Sequence, residues 1–342
     1  TVPEQVNIAY GATKLTFGRD YIIPSPFDPR LITVVAPAVA RAAMESGVAQ
    51  NPIQDWKKYE EELLDRMGSD NKMVRMLINR AKSDPKRIVF AEADHIDVLK
   101  AAQVVYEEGI GFPILLGKRD IIMELKNELG FDADVPIIDP KTPEEVTRKN
   151  KFAKAYWKSR QRRGISLFDA QNLMRERNYF AAMMVNQGEA DALLSGYSRS
   201  YPSVVKPMLQ LIDKEPGVSL IATTNLMMTS RGPMFLSDTA INTNPTAEEL
   251  AKIAIMTAKV AKLFGVAPVI AMISFSNFGS STNDSATKVR EAVEYLHKHH
   301  PQMIIDGEIQ ADFALNPEML KAKFPFSKLA GKKVNTLIFP NL

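Results

Sequence analysis

The chain has 342 residues, 45% hydrophobic and 24% charged, with a formal net charge of +3. That balance excludes a disordered chain, and the charge is too small to argue for nucleic acid by itself. Cysteine is absent, which excludes disulfides, thiol catalysis and zinc–thiolate sites and points to a reducing, cytoplasmic compartment.

The chain begins with Thr1 rather than Met, which reads as a fragment of a longer protein. The run YIIPSPFDPRL then places Pro24, Pro26 and Pro29 within six positions. Each proline fixes φ, removes a backbone donor and pushes its predecessor toward extended geometry. An extended connector is expected, followed by a helix from about Ile32 to Ser46. The polar run from Gln50 to Asp84 predicts one or two helices. No signal peptide and no apolar run of membrane-spanning length is present.

From Lys86 the pattern alternates. KRIVFAEAD predicts a strand ending in acids, IDVLKAAQVVYEEGI a helix stopped at Gly109, FPILLG a strand, KRDIIMELKNELG a helix and VPIID a strand. A long helical stretch follows from Pro143 to Gly188, interrupted at Gly164. Then come the strand ADALLSG and the helix PSVVKPMLQLID. SLIATTNLMMT and PMFLSDT predict antiparallel strands joined by the turn SRGP. Thr246 and Glu249 have the spacing of a capping box at the head of the next helix. PVIAMISFS predicts a strand, NFGSSTND a loop, SATKVREAVEYLHKHH a helix, MIIDGEIQADFAL a strand and VNTLIFPNL a last strand running into a loop. This alternation predicts an α/β fold with mostly parallel sheets in two domains, whose ligands sit beyond the carboxyl ends of the strands.

No G-x-G-x-x-G follows a strand and no G-x-x-x-x-G-K-[ST] is present, so neither dinucleotide nor P-loop chemistry is indicated. Arg160 and Arg163 share a helix face beside Lys158 and Arg162, and guanidinium suits phosphate or carboxylate. A solvated basic helix end satisfies the same pattern. In SGYSRSYPSVVKP, Ser195 and Gly196 offer a hydroxyl and an open backbone, with Arg199 and Lys206 nearby. That is an anion cradle, or a tight turn with an N-cap. Ser276, Gly279, Ser280 and Ser281 give a donor-rich loop, and Asp238 with Asn242 either polar groups at the same site or turn formers. His297, His299 and His300 end a helix without metal-ligand spacing.

From about residue 72 onward the chain resembles the phosphate acetyltransferases. The resemblance is carried by KRIVFAEAD, FPILLG, YWKSRQRRGIS, NYFAAMMVNQGEADALLSG, VVKPMLQLI, NPTAEELAKIA, PVIAMISFSNFGSS, DGEIQADFAL and NTLIFPNL, in family order. It implies an isocitrate/isopropylmalate dehydrogenase-like two-domain fold with an interdomain cleft, acetyl-CoA and phosphate as substrates, and a homodimer or higher homo-oligomer. The preceding segment, FGRDYIIPSPFDPRLITVVAPAVARAAMESGVA, resembles the C-terminal end of a bacterial malic enzyme's catalytic module. Together they resemble the C-terminal part of the hybrid NADP-dependent malic enzymes. The implied domains are 1–71 (malic-enzyme tail and helical linker), 72–212 and 213–342.

The resemblance places Arg160 at the family's substrate-orienting arginine. It also implies departures: Lys206 stands where a second arginine is usual, Ser203 where an aspartate is, and Asp97 where another arginine is common. The family's Ser-Arg pair and its aspartate, assigned as base toward the CoA thiol, fall beyond IFPNL, so turnover by these residues alone lacks a base. The expected function is therefore that of a regulatory, acyl-CoA-binding, oligomerising domain with no catalytic residues and no metal of its own. Acetyl-CoA is the expected effector, while NADP and a divalent metal (Mg or Mn) are expected in the catalytic part upstream. Arg160 and Lys206 are assigned to phosphates, Ser195 and Gly196 to the floor of the cleft, Ser280 and Ser281 to the thioester arm. The alternatives are an active phosphate acetyltransferase and a ligand-free assembly scaffold. No membrane or nucleic-acid partner is expected.

Overall fold

The computed structural model describes residues 6, 11, 15, 18, 19, 21–26, 28, 30–65 and 69–342, and the stretch from Arg30 to the first strand is largely helical. Its helices are α1 (Arg30–Glu45), α2 (Trp56–Asp65) and α3 (Ser69–Ser83). In the proline connector, Phe27 and Pro29 lie outside the described residues. Beside them, Ser25 N donates to the Tyr21 hydroxyl at 2.9 Å. Arg30 grips the Asp28 carboxylate through Nε at 3.0 Å and Nη2 at 2.6 Å, just where α1 begins. At the other end of α1, Gly47 takes φ +74°. Its N–H bonds back to Met44 and that of Val48 to Ala43, which satisfies the last carbonyls of the helix. α2 packs on α1, with the Arg41 guanidinium 4.8 Å from the centroid of the Trp56 ring.

The chain divides into two compact units, one of them Leu77–Ile221 and the other Ala222–Leu342 with the described residues up to Met76. In the first, β1 (Lys86–Phe90), α4 (Ile96–Glu107), β2 (Gly111–Leu116), α5 (Arg119–Leu129) and β3 (Ile137–Ile138) alternate as the apolar pattern dictates. α6 (Val146–Arg160), α7 (Leu167–Leu173), α8 (Arg177–Asn186), β4 (Ala192–Leu194) and α9 (Tyr201–Leu211) follow. All four strands are parallel, in the order β3-β2-β1-β4. Successive side chains of a strand point to opposite faces, and the two cores show it. Val89, Ile114 and Leu116 join Phe152, Tyr156 and Phe180 on one face. Phe90 and Leu115 join Leu99, Ile122 and Phe131 on the other. A parallel sheet covered on both faces needs such nearly continuous apolar strands.

The second unit carries β5 (Thr224–Thr229), β6 (Gly232–Ser237), α10 (Ala247–Leu263), β7 (Val269–Ile273) and α11 (Asp284–His299). It closes with β8 (Ile304–Ile309), the short helices α12 (Ala311–Ala314) and α13 (Pro317–Lys323), and β9 (Thr336–Ile338). Its sheet runs β5-β6-β9-β7-β8, with only the β5–β6 hairpin antiparallel. One face packs Ala271, Ile273, Ile309 and Leu337 against Leu320, Leu329 and Val334. α10 and α11 contact the strands through a buried set that includes Leu250, Ile253, Val289 and Leu296. α10 starts on the expected capping box: Thr246 N donates to Glu249 Oε2 at 2.8 Å and Glu249 N to Thr246 Oγ1 at 3.3 Å.

The fold is thus mixed α/β, with one parallel and one mixed sheet. Several expected elements have different bounds, among them the strand expected over Ser219–Thr229, which starts only at Thr224. The 143–188 stretch breaks at Gly164, as expected, and again between Leu173 and Arg177, because Glu176 caps α8 through Asn178 N. The strand expected over Lys86–Asp94 stops at Phe90, because the carboxylates beyond it turn into loops. The strand expected over Met303–Leu315 stops at Ile309 and gives way to α12. Among the described residues, no helix is long and apolar enough to cross a membrane.

Candidate functional site

In the first unit the strand-end region is organised by Glu92, two residues past β1 and 2% exposed. Its Oε1 accepts from Gly196 N at 2.7 Å and Tyr197 N at 3.0 Å. Its Oε2 accepts from Ser198 N at 2.8 Å and from the Ser198 hydroxyl. Gly196, at φ +107°, makes the turn that aims these donors inward, a conformation that suits glycine. Burial pushes the Glu92 carboxyl up, but the Ser198 hydroxyl and the N–H groups of Gly196, Ser198 and Tyr197 together bring it down to about 2. The loop after β4 is therefore an anion cradle whose anion is supplied by the chain itself.

Ser195 belongs to the same cluster. Its hydroxyl lies 2.8 Å from Asn178 Oδ1 and 3.3 Å from Glu92 Oε1. Two residues past Glu92, Asp94 receives Arg177 Nη1 and Nη2, each at 2.6 Å, in a largely buried bidentate pair. Asp97 accepts a hydrogen bond from the Tyr197 hydroxyl, and the Tyr197 ring lies 5.4 Å from that of His95.

Arg160 ends α6 in different company. Its Nη2 donates to the backbone carbonyl of Gln210 in the last turn of α9. The Gln210 side-chain oxygen accepts the hydroxyls of Tyr156 at 3.0 Å and Tyr179 at 2.8 Å. Burial raises the Tyr179 hydroxyl to about 12, so it stays a donor. Beside them lies a polar cavity of about 240 Å³, lined among others by Ser159, Arg163, Asn186 and Asp213. Lys206 sits on α9 with its side chain exposed. Ser203 turns its hydroxyl to the Ser200 carbonyl at 2.7 Å.

The second unit repeats the carboxylate device. Glu308, fully buried in β8, accepts from Gly279 N at 2.7 Å and from the Ser276 hydroxyl at 3.0 Å. Arg290 reaches it with Nη2 at 3.0 Å and Nε at 3.1 Å. Burial raises the Glu308 carboxyl, and the Arg290, Gly279 and Ser276 hydrogen bonds leave it below its ordinary value. Around this core the Ser280 and Ser276 hydroxyls lie 2.9 Å apart, and Ser281 N donates to Ser276 Oγ at 3.1 Å. Ser280 is exposed and Ser281 half-buried. Asp238, past β6, accepts the N–H groups of Thr223 at 2.9 Å and Asn242 at 2.8 Å. Against the upward push of burial, the hydroxyl and N–H of Thr223 and the N–H and side chain of Asn242 bring it to about 2.

Of the sequence-derived residues, then, Ser195 and Gly196 share the Glu92 cluster, while Arg160 is engaged with Gln210. Lys206 is exposed on α9, and Ser280 and Ser281 belong to the other unit. Glu92, Asn178, Glu308 and Arg290 escaped the sequence reading. The signal available was an acid at the very end of each of two apolar strand runs, FAEAD and IIDGEI. Among the described residues, no cluster of three or more His, Cys, Asp or Glu could hold a metal ion.

A profile of the family described as Phosphate acetyl/butaryl transferase matches residues 72–342. An NADP-dependent malic enzyme of Haemophilus influenzae is 40% identical over 99% of this chain, which spans 45% of that relative's length. An NADP-dependent malic enzyme of Escherichia coli is 37% identical with the same coverage. A phosphate acetyltransferase of Thermoanaerobacterium thermosaccharolyticum is 36% identical, over 79% of this chain and 83% of the relative. The crystal structure of a phosphotransacetylase from Streptococcus pyogenes superposes with a TM-score of 0.73 at 36% identity, covering 80% of this chain and 83% of that one. The chain spans about half the length of the malic enzymes it matches, and it belongs to the phosphate acetyl/butaryl transferase family.

Proposed function

We propose that this chain is the regulatory, acyl-CoA-binding and oligomerising part of a malic enzyme whose oxidative decarboxylation of malate is carried out elsewhere in the protein. The observation that carries this reading is one of coverage. The malic-enzyme relatives match 99% of the chain, including the helices before residue 72, whereas the phosphate acetyltransferase from T. thermosaccharolyticum matches 79%. A residue-level observation points the same way: Glu92 already fills the donor loop at Gly196–Ser198. An acyl-CoA would be taken up between two domains arranged as in the isocitrate and isopropylmalate dehydrogenases. Arg160 and Lys206 would serve its phosphates, Ser195 and Gly196 the floor, Ser280 and Ser281 the thioester arm. Such a ligand regulates only by binding one state of the assembly more tightly than another.

The second reading, an active phosphate acetyltransferase, is favoured by the 36% identity that spans 83% of such an enzyme. Calorimetric titration of acetyl-CoA into the protein, with a parallel assay for acetyl phosphate after adding phosphate, separates the two. Saturable binding without acetyl phosphate supports the regulatory reading. Turnover replaces it with the transferase, and absence of binding leaves an assembly scaffold. Sedimentation with and without acetyl-CoA reports the oligomeric part.

A further inference from the structure

At the opposite end of the second unit's sheet from the Glu308 and Asp238 loops, where β6, β7 and β9 begin, lies a cavity of about 680 Å³. Its floor is aliphatic: Met234, Val266, Leu315 and the buried Val334 line it. Its exposed rim carries two cations, Arg231 from the β5–β6 turn and Lys333 just before β9. No aspartate or glutamate lines the cavity, and among the described residues neither cation is ion-paired with a carboxylate at 4.0 Å or less. Both are nonetheless held in place. Arg231 Nη1 donates to the Leu315 carbonyl at 2.9 Å, and Lys333 Nζ donates to the carbonyl of Arg231.

We propose that this cavity is a second ligand site, for an organic anion with an aliphatic body. The head would be a carboxylate or phosphate, held by the Arg231 guanidinium and the Lys333 ammonium, which both recognise such groups by charge-assisted hydrogen bonds. The hydrocarbon would lie on Met234, Val266, Leu315 and Val334. The volume falls within the range of roughly 300–1,000 Å³ typical of small-molecule sites, far more than inorganic phosphate fills. The lining has no aromatic side chain, so a nucleobase would find no stacking platform. A ligand that is anionic at one end and aliphatic at the other would meet both the cationic rim and the apolar floor.

The test is calorimetric titration of the full chain with octanoate, octyl phosphate and octyl glucoside, each below its micelle concentration. Octanoate and octyl phosphate distinguish the carboxylate head from the phosphate head, and octyl glucoside supplies the same tail without charge. At least one anion should bind saturably, with octyl glucoside weaker by about tenfold or more. The double variant Arg231→Gln with Lys333→Gln should lose about tenfold in anion affinity, while Lys333→Arg should retain it. Val266→Trp, which fills the floor, should remove binding at an unchanged melting temperature. No saturable binding of either anion overturns the proposal. So does octyl glucoside binding as tightly, or a folded double variant that keeps its affinity. Should that variant fail to fold, the comparison of charged and uncharged tails on the unchanged protein decides. Failure here leaves the acetyl-CoA titration untouched, since none of these residues is assigned to acyl-CoA.

Discussion

Glu92 and Glu308 hold corresponding positions in the two units. Each carboxylate lies at the end of a parallel strand and accepts the N–H of a positive-φ glycine, Gly196 or Gly279, in the loop after the neighbouring strand. The donors that a strand-end loop offers to an anion are thereby committed before any ligand arrives. The loops gain order, and a ligand must use other donors or displace an internal charge.

Replacing Glu92 by Gln should destabilise the first unit by about 2–3 kcal/mol at neutral pH, because an amide presents a donor to one group of inward-facing N–H and O–H donors. The pH dependence has a fixed sign. The Glu92 carboxyl lies at about 2 in the fold against an ordinary 4.5, so its contribution is fully present above about pH 4.5 and is lost as the pH falls toward 2. Asp238, at about 2 against 3.8, loses its contribution over the lower part of the same window. Urea denaturation from pH 7 down to 3 should show this decline, and Glu92→Gln should flatten part of it. An unchanged acid profile in the variant would remove Glu92 from the account.

Asp94→Asn breaks the bidentate pair with Arg177 and leaves the guanidinium largely buried without its counter-charge. The expected cost is about 3 kcal/mol, typical of removing one partner of a buried pair. Denaturant midpoints measure it, and a cost below about 1 kcal/mol would place this pair with solvent-screened ones.

Gly307→Ala should be among the most damaging single-methyl changes. A Cβ there would sit 2.5 Å from the Met272 carbonyl oxygen and 2.9 Å from its Cβ, at φ +149°. The neighbour is backbone of β7, an interior strand paired on both sides, and has nowhere to move, so about 2–4 kcal/mol is expected, read as a fall in melting temperature. Gly117→Ala meets a softer obstacle, the Ile122 Cδ1 at 3.1 Å, and should cost less.

Arg160→Gln separates two roles for one side chain. If Arg160 serves acyl-CoA phosphates, affinity for acetyl-CoA should fall about tenfold, with Arg160→Lys intermediate because the bidentate fork is lost. Its hydrogen bond to the Gln210 carbonyl predicts a separate stability loss of about 1 kcal/mol. Lost stability with unchanged affinity would assign Arg160 to the carboxyl end of α9 alone.

Much of the fold was legible because it is periodic. The strand–helix alternation, the antiparallel pair around SRGP and the Thr246–Glu249 cap are local signals, and local signals survive in a linear reading. What was lost lies in two places. The FAEAD and IIDGEI runs look like uninterrupted strands, and only the partners of Glu92 and Glu308 on neighbouring loops reveal where each run becomes a turn. Gly196 comes 104 residues after Glu92 in the chain, a separation no motif spacing encodes. α13 was missed although its signal was present: Asn316 caps it through Met319 N with Pro317 at the first turn, in the stretch between MIIDGEIQADFAL and VNTLIFPNL that neither strand reading covers.

The order of the second sheet also sets when that sheet can be finished. β9, Thr336–Ile338, is the last of its five strands to be synthesised, yet it lies between β6 and β7. On the ribosome the β5–β6 hairpin and the β7–β8 pair emerge first as two separate ribbons with an empty lane between them. Three residues made more than thirty positions after Ile304 then join the ribbons, so a ribosome pausing ahead of Thr336 leaves unclosed a sheet whose other four strands already exist. The unclosed lane exposes two strand edges, the kind of surface on which folding intermediates stick to one another or to a chaperone.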